Sequence, residues 1–144
     1  MRILVPVDGS ENSIHAVEFI ASRTTLLGSN PEIEVLNVQL PLPARACRLV
    51  GQDSLTRYYE DEAAKVFEPV RAELNKVGFQ AGEAFLVGEA SDSIAAEAEK
   101  FGADLIVMGS RGLGVLRGML GSVSYGVLRS ADVPVLIAKE AEKE

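Results

Sequence analysis

Short runs of apolar, mostly β-branched residues alternate along the chain with segments whose apolar residues recur every three or four positions. The runs predict five strands, at Ile3–Val7, Ile33–Val38, within Phe79–Val87, at Leu105–Met108 and at Val133–Ala138. The segments between them predict helices, of which the longest extends from Leu55 to Val77. Residues 39–52 contain two prolines and Gly51, and are expected to form a loop.

This strict alternation of strand and helix predicts a parallel sheet covered by helices on both faces. Right-handed crossovers then give an open, doubly wound α/β fold of the Rossmann-like type. The chain contains no linker, repeat or low-complexity tract, so we expect a single domain over residues 1–144. Only residues 140–144 are typical of a frayed tail.

Composition narrows the classes of function. A net charge of -7 and a pI near 4.8 argue against nucleic acid or an anionic membrane as partner. The single cysteine, Cys47, excludes an internal disulfide and fits a reducing compartment. The chain begins directly with the first apolar run, and no run approaches the roughly 18 residues of a membrane span. We therefore expect a cytoplasmic protein.

The segment after the fourth strand, MGSRGLGVLRGMLGSVSYG, combines six glycines with two arginines and has no acidic residue. Parallel sheets bind ligands beyond the carboxyl ends of their strands, which is where this segment begins. Glycines allow backbone N–H groups to approach a phosphate, and Gly121-Ser122 precedes a helix whose first N–H groups attract anions. The segment therefore predicts phosphate binding, although a flexible connector would explain the glycines as well.

Catalytic motifs are missing from the sequence. No lysine follows the glycines as in a P-loop, and His15 is the only histidine, so no Ser-His-Asp set can be assembled. Asp8 follows the first strand and could bind an adenine amino group, a ribose or Mg²⁺. It could equally cap the first helix together with Ser10. The sequence thus predicts a binding site with little catalytic apparatus.

Three stretches together resemble the universal stress protein family over nearly the whole chain: ILVPVDGSENS, GADLIVMGSRGLG and GSVSYGVLRSADVPVLIAK. The resemblance implies a five-stranded sheet of order 3-2-1-4-5 and dimerisation. In one subgroup it implies ATP binding through Gly, two residues, Gly, nine residues, and then Gly-Ser or Gly-Thr. Here Gly109, Gly112 and Gly121-Ser122 match, but only the eight residues 113–120 separate the second glycine from the third.

The resemblance also implies which residues surround an adenine nucleotide (ATP, ADP or AMP) and its Mg²⁺. Those around the base and sugar would be Pro6, Val7, Asp8, Val38, Met108 and Gly109. Those near the phosphates would be Arg111, Gly112, Gly121, Ser122, Val123 and Ser124. Asp8 is the candidate metal ligand, acting together with the phosphates.

Three functions are compatible with these features. An adenine-nucleotide-binding stress or signalling protein, with ATP as regulatory ligand, fits the glycine motif best. The shortened motif favours the alternative of a dimeric scaffold that binds protein partners without nucleotide. A very slow ATPase is the third, and we expect negligible hydrolysis because no strong base is evident. The last apolar run, Val133–Ala138, lies at a sheet edge in the implied order and predicts a homodimer.

Overall fold

In the computed structural model, which describes residues 1–110 and 120–139, all five predicted strands form. They are β1 (Arg2–Pro6), β2 (Glu32–Gln39), β3 (Ala81–Val87), β4 (Leu105–Gly109) and β5 (Val135–Ala138). All pair in parallel, in the order β3-β2-β1-β4-β5, which confirms the predicted topology. The last strand begins two residues later than predicted, although the Pro134 carbonyl already accepts from Ile106 N–H at 3.0 Å.

The described helices are α1 (Glu11–Ser22), α2 (Ala44–Val50), α3 (Gln52–Asn75), α4 (Ala90–Phe101) and α5 (Ser122–Ser130). The expectation that residues 39–52 form only a loop is wrong, because this segment contains α2. No residue of α2 is buried, so the helix leaves no apolar periodicity to detect. Pro43 occupies its N-cap, and Gly51, with φ +76°, ends it and separates it from α3.

Alternate residues of the strands point to opposite faces and build two apolar layers. On one face Ile3, Val5 and Val35 pack beneath α1 and α3; on the other, Leu4 and Leu36 pack beneath α4 and α5. All five of these side chains are at most 1% exposed. The central strands are apolar at consecutive positions because both of their faces are covered by helices.

The strand order reverses at β1, whose two neighbours are β2 and β4. One crossover leaves β1 toward β2 through α1, and the chain later crosses from β3 to β4 through α4. A crevice between the carboxyl ends of β1 and β4 is the expected ligand position in such a sheet. The fold thus brings the residues after β1 and those after β4 to the same edge.

Candidate functional site

A cavity of about 90 Å³ lies between the carboxyl ends of β1 and β4. Eight of the twelve residues predicted from the sequence line it, namely Pro6, Val7, Asp8, Val38, Met108, Gly109, Val123 and Ser124. Four further residues were not predicted: Ser13, Leu36, Ala90 and Ile94. Leu36 could have been found from strand periodicity, since it lies two positions before Val38 on the same face. We call this cavity the crevice.

The walls of the crevice are mainly apolar, and Asp8 is the one charged side chain among the described residues that line it. Typical small-molecule sites enclose about 300–1,000 Å³, so this cavity accommodates part of a nucleotide and not the whole. An apolar slot with a carboxylate at its rim suits a flat heterocycle with a polar group attached. The rest of such a ligand would extend toward the first turn of α5.

Asp8 belongs to the turn that precedes α1, and it also borders the crevice. Its Oδ1 accepts from Ser10 N–H at 2.9 Å, while its side chain borders the crevice. Gly9 between them has φ +85°, a conformation that favours glycine. Ser10 in turn is the N-cap of α1, its Oγ accepting from Ser13 N–H at 3.2 Å. The tight turn therefore fixes the carboxylate at the edge of the crevice.

Of the three helices that contribute described residues to the crevice, two are capped by their own side chains. Ser10 caps α1, and the Glu89 carboxylate caps α4 by accepting from Asp92 N–H at 2.7 Å and Ser91 N–H at 3.1 Å. The hydrogen bond from the Asp92 backbone, followed by that from the Ser91 hydroxyl, holds the pKa of Glu89 below its usual range. The capped N–H groups, one in α1 and two in α4, are therefore not available to a ligand.

The third helix, α5, has no side-chain cap, because its N-cap residue is Gly121. Its first intrahelical bond runs from Tyr125 N–H to the Gly121 carbonyl at 2.9 Å. The N–H groups of Ser122, Val123 and Ser124 in the first turn consequently have no acceptor within the helix. Together with the positive end of the helix dipole, they form a site suited to an anion.

Two hydrogen bonds hold the start of α5 against the end of β4. Gly121 N–H donates to the Ser110 carbonyl at 2.7 Å, and the buried Ser124 Oγ donates to the Gly109 carbonyl at 2.8 Å. The one-residue shortening of the glycine motif therefore leaves Gly109 and the first turn of α5 adjacent. Ser124 contributes its hydroxyl to this junction, which leaves its backbone N–H as the group that could meet a phosphate.

Gly109 has a structural reason of its own to lack a side chain. A Cβ at this position would contact Asn12 of α1, including its side-chain oxygen and its carbonyl oxygen, the latter at 2.7 Å. The sequence had suggested that this glycine is needed so that the backbone can approach a phosphate. The structure shows a close approach between β4 and α1 at this glycine, so a substitution here would disturb the fold independently of any phosphate contact.

The four remaining predicted residues do not line the crevice. Arg111 and Gly112 lie outside the described residues, and the exposed Ser122 is in the first turn of α5 beside the N-cap Gly121.

Within residues 1–110 and 120–139, no three His, Cys, Asp or Glu side chains are grouped as a metal site would require. No helix in that part of the chain is long and apolar enough to span a membrane.

Comparison with known proteins gives consistent matches. The model of the universal stress protein family matches residues 1–139. Universal stress protein YxiE of Bacillus subtilis is 30% identical, the alignment covering 96% of this chain and 98% of that protein. The solved structure of MJ0577, a universal stress protein of Methanocaldococcus jannaschii, is 31% identical with a TM-score of 0.81, covering 99% of this chain and 97% of that one. A universal stress protein solved in complex with cAMP is 26% identical with a TM-score of 0.68, covering 95% of each chain.

Proposed function

This chain belongs to the universal stress protein family, and we propose that it binds an adenine nucleotide, with ATP as a regulatory ligand in stress response or signalling. It acts in the cytoplasm, as a single domain that uses binding and release of the nucleotide as its signal. The related structure that holds cAMP supports an adenine nucleotide as ligand.

The observation that carries the proposal is the uncapped first turn of α5 at the rim of an apolar crevice. A side chain accepts from Ser13 N–H at the start of α1 and from two N–H groups at the start of α4, whereas α5 has a glycine N-cap and no side-chain acceptor for the three N–H groups of its first turn. A phosphate is the ligand group that such a terminus favours. The apolar slot next to it suits the base.

In this proposal, each part of the nucleotide has its own position in the site. The base occupies the slot between Val38 and Met108, and the Asp8 carboxylate at the rim accepts from a ribose hydroxyl. The phosphates lie over the first turn of α5; Arg111, which the family resemblance assigns to the phosphates, lies outside the described residues. Mg²⁺ accompanies them, and Asp8, the carboxylate among the described residues that line the crevice, is its candidate ligand.

Hydrolysis is expected to be negligible. A general base must lie within hydrogen-bond reach of the attacking water and have a suitable pKa. Among the described residues of the crevice Asp8 is the one titratable group, and one of its oxygens already accepts from Ser10. A phosphate-release assay should therefore show far less than one turnover per second, and sustained faster turnover after further purification would contradict this.

The variant Gly121→Asp tests the phosphate position. Gly121 has φ -68°, which any residue can adopt, and Asp is among the best N-cap residues. The new carboxylate would cap α5 as Glu89 caps α4, and would repel phosphates. We expect ATP affinity in calorimetry to be lower by about tenfold or more, and circular dichroism checks that the variant at this buried position is folded.

Gly121→Ala is the matched control, since it adds the Cβ without the carboxylate. It should lower ATP affinity much less than Gly121→Asp, and neither variant should alter adenosine affinity to the same degree. Equal ATP affinity in the wild type and Gly121→Asp would refute the assignment of phosphates to α5.

We also propose that the protein is a homodimer through Val133–Ala138. Among the strands that the structure describes, β5 pairs with β4 alone, and the Pro134 carbonyl faces β4 by accepting from Ile106 N–H. Because alternate residues of a strand direct their backbone groups to opposite edges, the N–H groups of Val135 and Ile137 point to the free edge. A second copy could pair there about a two-fold axis, which closes the assembly.

Sedimentation equilibrium at micromolar concentration tests the dimer. The wild type should sediment with twice the mass of the chain. Ile137→Pro, which removes one outward N–H but leaves the ladder to β4 intact, should shift the equilibrium toward monomer. Circular dichroism would check that the variant is folded. A wild-type monomer throughout this concentration range would exclude the dimer.

A further inference from the structure

The third strand, β3, forms an edge of the sheet. Among the strands that the structure describes, β3 pairs with β2 alone. Just beyond its last residue, the Gly88 N–H donates to the Gln39 carbonyl of β2 at 2.8 Å, so the backbone at position 88 faces β2. Successive residues of a strand direct their backbone groups to opposite edges, so every second residue before Val87, and Val87 itself, faces away from β2. These residues are Ala81, Glu83, Phe85 and Val87, and we call their outward N–H and C=O groups the β3 edge.

The β3 edge lacks the features that usually protect an edge strand. Natural sheets block such edges with lysine, proline, a bulge, or a covering helix or loop. The sequence of β3, AGEAFLV, has no lysine or proline, and its residues pair with β2 in continuous register, without a bulge. Its single charged side chain, Glu83, is held by Arg71 of α3, Nη2 to Oε1 at 2.7 Å and Nε to Oε2 at 2.9 Å. The β3 edge therefore offers an approaching strand a continuous template without an unpaired charge.

A cleft of about 410 Å³ lies beside the β3 edge, between α3 and the sheet. Its lining includes three apolar side chains that are at most 2% exposed, Val35 of β2 and Val70 and Leu74 of α3. Ala81 and Glu83 also line it, so the cleft and the β3 edge adjoin. Ligand pockets typically enclose about 300–1,000 Å³. The cleft is therefore large enough to take a side chain of a strand that pairs with β3.

The polar groups of the cleft suit peptide backbone. Asn75 and Gln80 line it with exposed amides, which both donate and accept. Two of the five Arg71 N–H donors bind Glu83, which leaves three for another acceptor. The one cation and the one anion of the cleft thus neutralise each other. An apolar side chain with peptide groups on either side matches this lining better than a charged small molecule does.

We propose that the β3 edge and the cleft together form a docking site for an extended segment of a partner protein. The segment adds to the five-stranded sheet beside β3, its backbone pairs with the β3 edge, and one apolar side chain enters the cleft. Main-chain hydrogen bonds supply affinity and the cleft supplies specificity, as in other complexes formed by strand addition. The cleft shares no lining residue with the crevice, so this site does not rest on nucleotide binding.

A partner protein fits the β3 edge better than a second copy of the chain. If copies pair through β5, as proposed above, pairing through β3 as well would give every copy two self-complementary edges. Such contacts do not close, so the sheets would extend into a filament. A segment of a different protein ends the sheet instead. This choice of occupant rests on the proposed dimer, whereas the docking site itself does not.

Hydrogen exchange followed at single amides tests the pairing. The probe is a linear peptide selected from a random phage-displayed library with the full chain as bait. In the free protein the outward N–H groups of Phe85 and Val87 should exchange rapidly, and those of Ala84 and Leu86, which face β2, slowly. The peptide should slow exchange at Phe85 and Val87 by about tenfold or more. Peptides that bind without protecting these two amides would contradict strand addition.

Two proline variants test the β3 edge in calorimetry. Glu83→Pro and Val87→Pro each remove one outward N–H and leave the ladder to β2 intact. Each should weaken the selected peptide by about tenfold or more, because a hydrogen bond is lost and the ring obstructs the added strand. The matched controls Glu83→Ala and Val87→Ala remove the same side chains but keep the N–H, and should weaken binding by about threefold at most. Circular dichroism checks that each variant is folded.

The variant Ala81→Leu tests the cleft by placing a larger side chain in it. Replacing the apolar residue of the peptide by alanine should weaken binding to the wild type, but should have much less effect in Ala81→Leu. A library that yields no peptide sensitive to either proline variant would overturn the proposal. So would wild-type assemblies larger than a dimer in sedimentation that Glu83→Pro dissolves, since a second copy would then occupy the β3 edge.

Discussion

Replacing Gly109 by alanine should destabilise the protein before any ligand is added. The new Cβ would lie 2.7 Å from the carbonyl oxygen and 3.0 Å from the carbonyl carbon of Asn12, and close to its side-chain oxygen. Two of these atoms are backbone in the first turn of α1, which cannot move without disturbing the Ser10 cap. Overpacking costs about 1–3 kcal/mol, and alanine recovers about 0.5–1 kcal/mol of backbone entropy in a strand. The net loss should be about 1–2 kcal/mol.

Urea unfolding of the ligand-free protein measures this loss, and Gly82→Ala provides the control. Gly82 also lies in a strand, but its nearest obstacle is the Ile33 carbonyl oxygen at 3.9 Å, an ordinary contact. Gly82→Ala should therefore be neutral or stabilising by about 0.5 kcal/mol. If both variants unfold at the same urea concentration, the contact between β4 and α1 is not what requires glycine at position 109.

Three further changes have defined outcomes. Gly126→Ala should lower the melting temperature although alanine has the better helix propensity, because the new Cβ would lie 2.6 Å from Ser91 Cβ and Oγ. Adding Ser91→Gly to this variant should restore the melting temperature. Ser10→Ala should cost about 1 kcal/mol in urea unfolding through loss of the α1 cap, and Ser10→Asn should retain most of the stability. Burial, followed by the hydrogen bond with Glu97, raises the pKa of Glu34 from its ordinary value of 4.5 to about 7. The free energy of unfolding of the wild type should fall by about 1–2 kcal/mol as pH rises from about 4.5 to 7, because the folded state binds the Glu34 proton more tightly than the unfolded state. This magnitude is already reduced for solvent screening of Glu34. Glu34→Gln should remove the fall.

The sheet and its order could be predicted because they depend on patterns that the sequence displays directly. Both faces of β1 and β4 are covered, which requires continuous apolar runs, and the resemblance of the chain's two ends to one family supplied the strand order. The crevice followed from the same reasoning, since ligand positions in parallel sheets are fixed by topology. Ile94 was missed because an apolar lining residue on a helix is indistinguishable in sequence from a core residue, whereas Leu36 could have been found from its spacing to Val38.

Features that depend on contacts between distant residues could not be predicted. The proximity of Glu34 and Glu97 is invisible in the sequence, where both positions are ordinary polar residues of a strand and a helix. The need for glycine at position 109 likewise arises from Asn12, almost a hundred residues earlier. The short helix α2 has no buried face, so hydrophobic periodicity carries no information about it.

Native mass spectrometry of freshly purified protein, followed by Mg²⁺–ATP calorimetry on nucleotide-free material, tests the central claim most directly. We expect a mass increment equal to an adenine nucleotide, or saturable ATP binding after its removal, and about tenfold or greater loss of that binding in Gly121→Asp. Protein that carries no nucleotide and gives no heat with ATP, ADP or AMP would contradict the account.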